Sequence, residues 1–248
     1  MARALSVAAI LLLAPVGGSA IASAGARRSV RMANDWAAVS REPDNRDLLD
    51  LAGTPPGGAL PSPWMLRAVR GQRAPDSRVE DSGGVRFVRI GGAGRAAWYV
   101  HELTDPLKGE AGELAWEWRV PLAPRGADLR AAATDDAALR IFVVFARGLF
   151  ERTPRTLFYC TGGTEPAMYE RASFSSPRLH VLRMGKGLAA ATWERLHVDP
   201  FADYRRIWQA PPPAIVAIGI MQDTDQTGAA TLADVQSLTW RPRRAPAR

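Results

Sequence analysis

The residues best spaced for chemistry lie near the C-terminal end of the chain, where the run Ile218-Gly-Ile-Met-Gln-Asp223-Thr-Asp225-Gln-Thr227-Gly228 leads to Asp234. Counted from Asp223, oxygen-bearing side chains fall at positions 1, 3 and 5 (Asp223, Asp225, Thr227), a glycine at 6 and an acid at 12 (Asp234). That spacing approximates a calcium loop, which collects hard oxygen ligands around a sharp glycine turn. The metal candidates are therefore Asp223, Asp225, Thr227 and Asp234, with a structural calcium as the one cofactor the sequence suggests. The same residues also suit a turn satisfied by its own side-chain to backbone hydrogen bonds, and both readings stay open on sequence alone.

A second constellation is Asp135-Asp136 with Arg140. Asp136, Ala138 and Arg140 share the parity of an extended strand, so a carboxylate and a guanidinium fall along one face. Together with Glu117 and Arg119 from another strand, Asp136 and Arg140 are candidates for a polar concave face that takes a sugar or an anionic ligand, since guanidinium forks match carboxylate and phosphate oxygens. The alternative is a structural ion pair at a strand entrance. Trp208, between Arg206 and the Pro211-Pro212-Pro213 run, is the candidate exposed aromatic platform. Trp116 and Trp118 recur at core spacing. Catalytic signatures are missing: there is no Gly-x-Ser-x-Gly elbow, no His-Glu-x-x-His and no phosphate loop, and His101, His180 and His197 have no mutual ligand spacing. Paired carboxylates such as Asp136 and Asp199 remain as a hydrolase alternative, because such pairs are assembled in three dimensions.

The elements that must carry these residues read as strands. Short runs rich in Val, Ile, Phe, Trp and Tyr, separated by Gly, Pro and Asp clusters, occur at Trp64 to Val69, Val85 to Ile90, Ala97 to Leu103, Glu113 to Val120, Leu139 to Ala146, Thr156 to Thr161, Arg178 to Met184, Trp193 to Asp199, Ile215 to Met221 and Val235 to Trp240. In Leu114-Ala-Trp116-Glu-Trp118-Arg-Val120, alternation sets Leu114, Trp116, Trp118 and Val120 against Glu117 and Arg119. Leu139 to Phe145 is apolar on both faces apart from Arg140, as in a central strand. Many strands with no long helix between them predict an all-β fold, an antiparallel β-sandwich of jelly-roll type. Asn34 to Val39 and Asn45 to Leu51 are candidates for short capped helices.

Met1-Ala-Arg3, an apolar run from Ala4 to Ala14 and Ala22-Ser-Ala24 form a secretory signal with an Ala-x-Ala cleavage site. The apolar run is too short to span a bilayer, which takes roughly 20 residues, so no transmembrane anchor is expected and the product should be periplasmic or secreted. The expected division is 1–24 signal, 25–50 leader, 51–240 one sandwich domain and 241–248 a basic flexible tail. Cys160 is the single cysteine, so no intramolecular disulfide staples the fold. The net charge is +7, and loss of Met1 to Ala24 removes one arginine and no acid, leaving +6. Thirty of the 32 basic residues are arginine, scattered through the chain, which points away from a nucleic-acid surface. A basic exported protein meets glycans and anionic envelope polymers first.

Trp116-Glu-Trp118-Arg-Val, Ala127-Asp-Leu, Asp135-Asp136-Ala-Ala-Leu-Arg140, Asp203-Tyr-Arg-Arg and Ile220-Met-Gln-Asp223-Thr-Asp225-Gln-Thr-Gly occur in an order that resembles the bacterial exported family DUF 3047, over roughly Leu51 to Trp240. Gln226 stands where that pattern has Asn, Leu196-His197 where it has Arg-Asn, and Ile207-Trp208 where it has Phe-Gly. The resemblance implies a galactose-binding-like jelly roll similar to carbohydrate-binding modules, and no activity. The resulting expectation is an exported, non-catalytic, carbohydrate-binding-like module. An envelope glycan hydrolase and a structural or protein-interaction module are the alternatives.

Overall fold

The computed structural model describes residues 45–148, 151, 153–185 and 192–243. The expected signal segment, the short helix at Asn34 to Val39, most of the leader and the last residues of the tail lie outside the described residues. Among the described residues, thirteen strands and one α-helix follow in chain order: β1 (Arg46–Asp47), β2 (Met65–Ala68), β3 (Asp76–Ser82), β4 (Val85–Ala93), β5 (Ala96–Leu107), β6 (Ala111–Leu122), β7 (Ala137–Phe145), β8 (Thr156–Thr161), β9 (Glu170–Ala172), β10 (Leu179–Arg183), β11 (Glu194–Val198), α1 (Pro200–Trp208), β12 (Ile215–Asp223) and β13 (Ala230–Arg243). They form two sheets. One runs β11-β6-β13-β4-β3 with β1 also paired to β13, and the other runs β2-β5-β12-β7-β8-β10-β9. All pairings are antiparallel except β8 with β10. The protein is an antiparallel β-sandwich of jelly-roll type.

Alternation decides what each sheet presents. Leu114, Trp116, Trp118 and Val120 of β6 meet Leu139, Ile141, Val143 and Phe145 of β7 in the core between the sheets. Burying each such side chain stabilises the fold by about 1.5–3 kcal/mol. The opposite parity of β6 sends Glu117 and Arg119 to the outer face of the six-stranded sheet. The seven-stranded sheet differs, because its outer face is apolar too: Trp98, Val100, Phe142, Val144, Phe158, Cys160 and Val181 form a second cluster there, joined by Leu129 and Tyr169 from the loops after β6 and β8. β7 and β8 are consequently buried on both faces, the signature of continuous apolar runs.

Three strands carry little hydrophobic signal and were not expected: β1, β3 and β9. The segment Asn45 to Leu51, a candidate helix, instead holds β1, whose Arg46 pairs with Trp240, and it sends Leu48, Leu49 and Leu51 into the core. Its three leucines follow the sandwich wall, and burying them outweighs the local preference for a capped turn. The sandwich thus begins inside the 25–50 segment, and β13 continues to Arg243 inside the expected tail.

Candidate functional site

At one end of the seven-stranded sheet, the start of β7, the end of β12 and the loop before β7 bring together the two constellations that the sequence kept apart. Asp136 accepts hydrogen bonds from the amides of Gln226 (3.1 Å) and Thr227 (2.7 Å) and from the Thr227 hydroxyl (2.5 Å). It therefore holds the turn after β12 in shape. Gly228, at φ 68°, closes that turn with its amide on the Thr224 carbonyl, a backbone region where glycine avoids the Cβ penalty. Arg140 Nη2 donates to the Asp135 carbonyl (2.8 Å) and lies 3.2 Å from Asp223 Oδ2 and 3.4 Å from Asp135 Oδ1. Arg171, from β9, reaches the other oxygen of Asp135 at 2.9 Å. Farther along the same outer face, Arg183 and Glu165 form a pair that is almost wholly buried, 2.9 Å apart.

Burial pushes the carboxyls of Asp136 and Asp223 above the usual range, Asp223 strongly, with the Thr227 hydrogen bonds and the Arg140 charge respectively pulling back. Burial also works against the Arg140 charge, but Asp223 and Asp135 outweigh it and keep the guanidinium protonated. Cys160, beside Arg140 across the β7–β8 pair, is pushed up to about 12 by burial and is an inert thiol at neutral pH.

The carboxylates of Asp136, Asp223 and Asp225 offer oxygens that all lie within 4.8 Å of one another. Among the described residues this is the one acid or histidine cluster with the geometry to hold a metal ion. Hard oxygen ligands suit calcium, and Asp225 Oδ1 is buried without a hydrogen-bond partner. Two of the four metal candidates are taken up by other partners. Thr227 spends its hydroxyl on Asp136. Asp234 lies in β13 on the outer face of the other sheet, where Arg89 grips it in a fork (2.8 and 2.9 Å) and Arg119 Nε at 2.6 Å. The twelve-residue loop does not close on itself because β13 has already begun at Ala230.

The proposed common face for Glu117, Arg119, Asp136 and Arg140 does not form. Glu117 and Arg119 point outward from the six-stranded sheet, while Arg140 points outward from the seven-stranded one, so the full thickness of the core separates them. Glu117 is taken up by Gln236 and by Arg195 at 3.8 Å. Trp208 is not a free platform either. It ends α1, donates its indole N–H to the Pro177 carbonyl (3.3 Å), and packs on Tyr204 and on Phe145 at the far end of β7 from Arg140. The acid pair Asp136 and Asp199 is not brought face to face: Asp136 stands just before β7 and holds the turn at Thr227, whereas Asp199 caps α1, whose Phe201 packs on Phe145 at the other end of β7.

Two residues of the site escaped the sequence reading. Arg171 sits in a three-residue strand with no hydrophobic pattern to reveal its direction. Phe174 follows it in Ser173-Phe-Ser-Ser-Pro177, and its ring lies 3.6 Å from the Arg171 guanidinium carbon. A lone aromatic among serines was the available signal.

Residues 62–239 match the family described as "Protein of unknown function (DUF3047)". The chain belongs to the DUF3047 family. No curated protein matches it. Among solved structures, this DUF3047 protein is similar to the family 11 carbohydrate-binding module of the cellulosomal cellulase Lic26A-Cel5E of Clostridium thermocellum, at 10% identity, 83% of this chain, 99% of the other and a TM-score of 0.45. It is also similar to the CBM22-1 xylan-binding domain from Paenibacillus barcinonensis Xyn10C, at 14% identity, 82% and 97% coverage and a TM-score of 0.39. Among the described residues of this DUF3047 chain, no helix is long and apolar enough to cross a membrane.

Proposed function

We propose that this DUF3047 protein is an exported, non-catalytic ligand-binding sandwich that takes a glycan at the Asp136 end of the seven-stranded sheet. The observation that carries the reading is the acid and guanidinium network on the sheet face turned away from the core. Burying Arg140, Asp136 and Asp223 costs desolvation energy that well-packed apolar residues would avoid. Carboxylates perturbed in this way cluster at functional sites. A face that combines carboxylate acceptors with guanidinium donors matches the hydroxyls of a sugar, each of which both donates and accepts. Calcium, on this reading, is held by Asp136, Asp223 and Asp225 and steadies the turn beside the site.

The hydrolase alternative loses its named pair to the separation of Asp136 from Asp199. A protein-docking module favours a broad apolar patch, whereas the exposed large apolar side chains of the described residues are spread over Met65 and Leu66, Val85, Leu122, Met168 and Phe174.

The test is thermal unfolding of the chain from Gly25 to Arg248 against neutral and acidic oligosaccharides, with calcium and then with chelator. A glycan present at a hundred times its Kd adds about 2.7 kcal/mol, a rise in Tm of roughly 5–10 °C for a chain of this size. A rise with one sugar class supports the reading; a rise with calcium alone supports the metal and leaves the glycan without support. A flat profile throughout sinks both. Release of reducing sugar from the bound glycan would reassign the protein as a hydrolase.

A further inference from the structure

We propose that Phe174 is the stacking platform for a neutral pyranose ring, an inference that rests on the glycan reading above and names the part of the glycan the site grips. Phe174 is 51% exposed and is the one aromatic among the exposed large apolar side chains of the described residues. Its position is nonetheless built. The loop that carries it is pinned by the Ser173 amide on the Leu179 carbonyl (2.7 Å), the Leu179 amide on the Ser176 carbonyl (3.1 Å) and the Trp208 indole on the Pro177 carbonyl.

Beneath the ring, the Arg171 guanidinium is held by two carbonyl acceptors and one ion pair. Its Nε donates to the Leu129 carbonyl, Nη1 to the Ala172 carbonyl (2.8 Å), and Nη2 faces Asp135 at 2.9 Å. One face of Phe174 is thus propped on a tethered guanidinium plane and the rest is left to water. An aromatic ring held in advance loses little conformational entropy when a ligand arrives.

The flat C–H face of a pyranose fits such a ring. The hydroxyls of Ser173 and Ser175, which neighbour Phe174 in the sequence and share a hydrogen bond of 2.9 Å, can exchange hydrogen bonds with the sugar rim. The charges select against ionic rings. A cationic ligand meets the guanidinium under the phenyl group, and an anionic sugar finds Arg171 already committed to Asp135, so a neutral ring remains.

Affinity electrophoresis and calorimetric titration would compare the chain from Gly25 to Arg248 with Phe174→Ala and Phe174→Trp, using mixed-linkage β-glucan, arabinoxylan, β-1,4-galactan and polygalacturonate. Loss of a stacked ring in Phe174→Ala should weaken binding to the neutral polymer about tenfold with an unchanged Tm. Phe174→Trp should keep the affinity, and its indole emission should move to the blue when the polymer is added. Undiminished binding by Phe174→Ala overturns the platform while the glycan reading stands. Binding to polygalacturonate alone overturns the neutral-ring assignment. No binding of any polymer by the unmodified chain removes both.

Discussion

Asp234 has no exposed surface, yet it sits on the outer face of its sheet, because two arginines and two aromatic rings roof it over. Arg119, bound to its Oδ2, lies between Phe87 and Trp193 with the guanidinium carbon 4.9 and 4.5 Å from the ring centroids. Such cation–π contacts are worth about 0.5–1 kcal/mol each at partly exposed positions. The acid is what ties Arg89 and Arg119 together, so Asp234→Ala leaves two adjacent guanidiniums without their shared counter-charge. Breaking a buried pair costs about 3–5 kcal/mol, and since both arginines keep some contact with water, about 3 kcal/mol is expected in urea unfolding. Glycan affinity should not change, since the site lies beyond the opposite face of the core. A parallel loss of affinity would mean that Asp234 belongs to the site after all.

At the level of elements, helix α1 shows what the Asp203-Tyr-Arg-Arg motif does. Asp199 caps α1 by accepting from the Phe201 and Ala202 amides, and Pro200 opens the first turn, where a missing N–H costs nothing. Asp203 then accepts from the buried Tyr159 hydroxyl at 2.9 Å, the Tyr204 hydroxyl accepts from Arg155 at 2.7 Å, and Arg206 bridges Asp203 to Glu170. The motif docks the helix against β7 and β8 through Tyr159, Arg155 and Phe145. In the sheet, β12 passes Phe142 so closely at Gly219 that a Cβ there would run into the phenyl ring. Gly219→Ala should therefore cost about 1–3 kcal/mol as overpacking, read as a lower urea midpoint with unchanged slope. A neutral result would show that the strand can shift at this crossing.

For the molecule as a whole, pH dependence follows from where its histidines ended. Burial lowers both His101 and His180 below 6.5, against weaker opposing pulls from the Leu48 carbonyl and Glu170. The unfolded chain then binds protons that the folded one refuses, so their contribution to stability falls as pH drops below about 6.5. The raised carboxyls of Asp136 and Asp223 act in the opposite sense, adding stability at acid pH that is lost as pH rises through their folded values. Comparing the chain with His101→Gln/His180→Gln isolates the histidine part. The unmodified protein should lose more stability than the variant between pH 7.5 and 5.5, and parallel curves would show that the two rings are not buried in solution.

All ten expected strands are present, several longer than their hydrophobic run, because alternation and turn residues are local properties that a single chain displays. The core parity of β6 and the two-faced burial of β7 were legible for the same reason. α1 carried a legible Asp-Pro start that went unread among strand signals, while β1, β3 and β9 had no pattern to read, since their pairing partners supply their stability. The sequence also displayed both halves of the site, Asp135-Asp136 with Arg140 and Asp223 with Asp225. Which of these residues meet was a different matter. Strand parity says that Glu117 and Arg140 each leave the core, but not that they leave it on opposite sides; that depends on which sheet each strand joins. Long-range pairing put β7 beside β12, brought Asp136 to the turn at Thr227, sent Asp234 to Arg89 and Arg119, and carried Arg171 to Asp135. The sequence by itself determined the strands and the direction of their apolar faces, because these follow from spacing of two along an extended backbone. The tertiary structure alone decided the site, because its distances are set by contacts between segments as much as 91 residues apart.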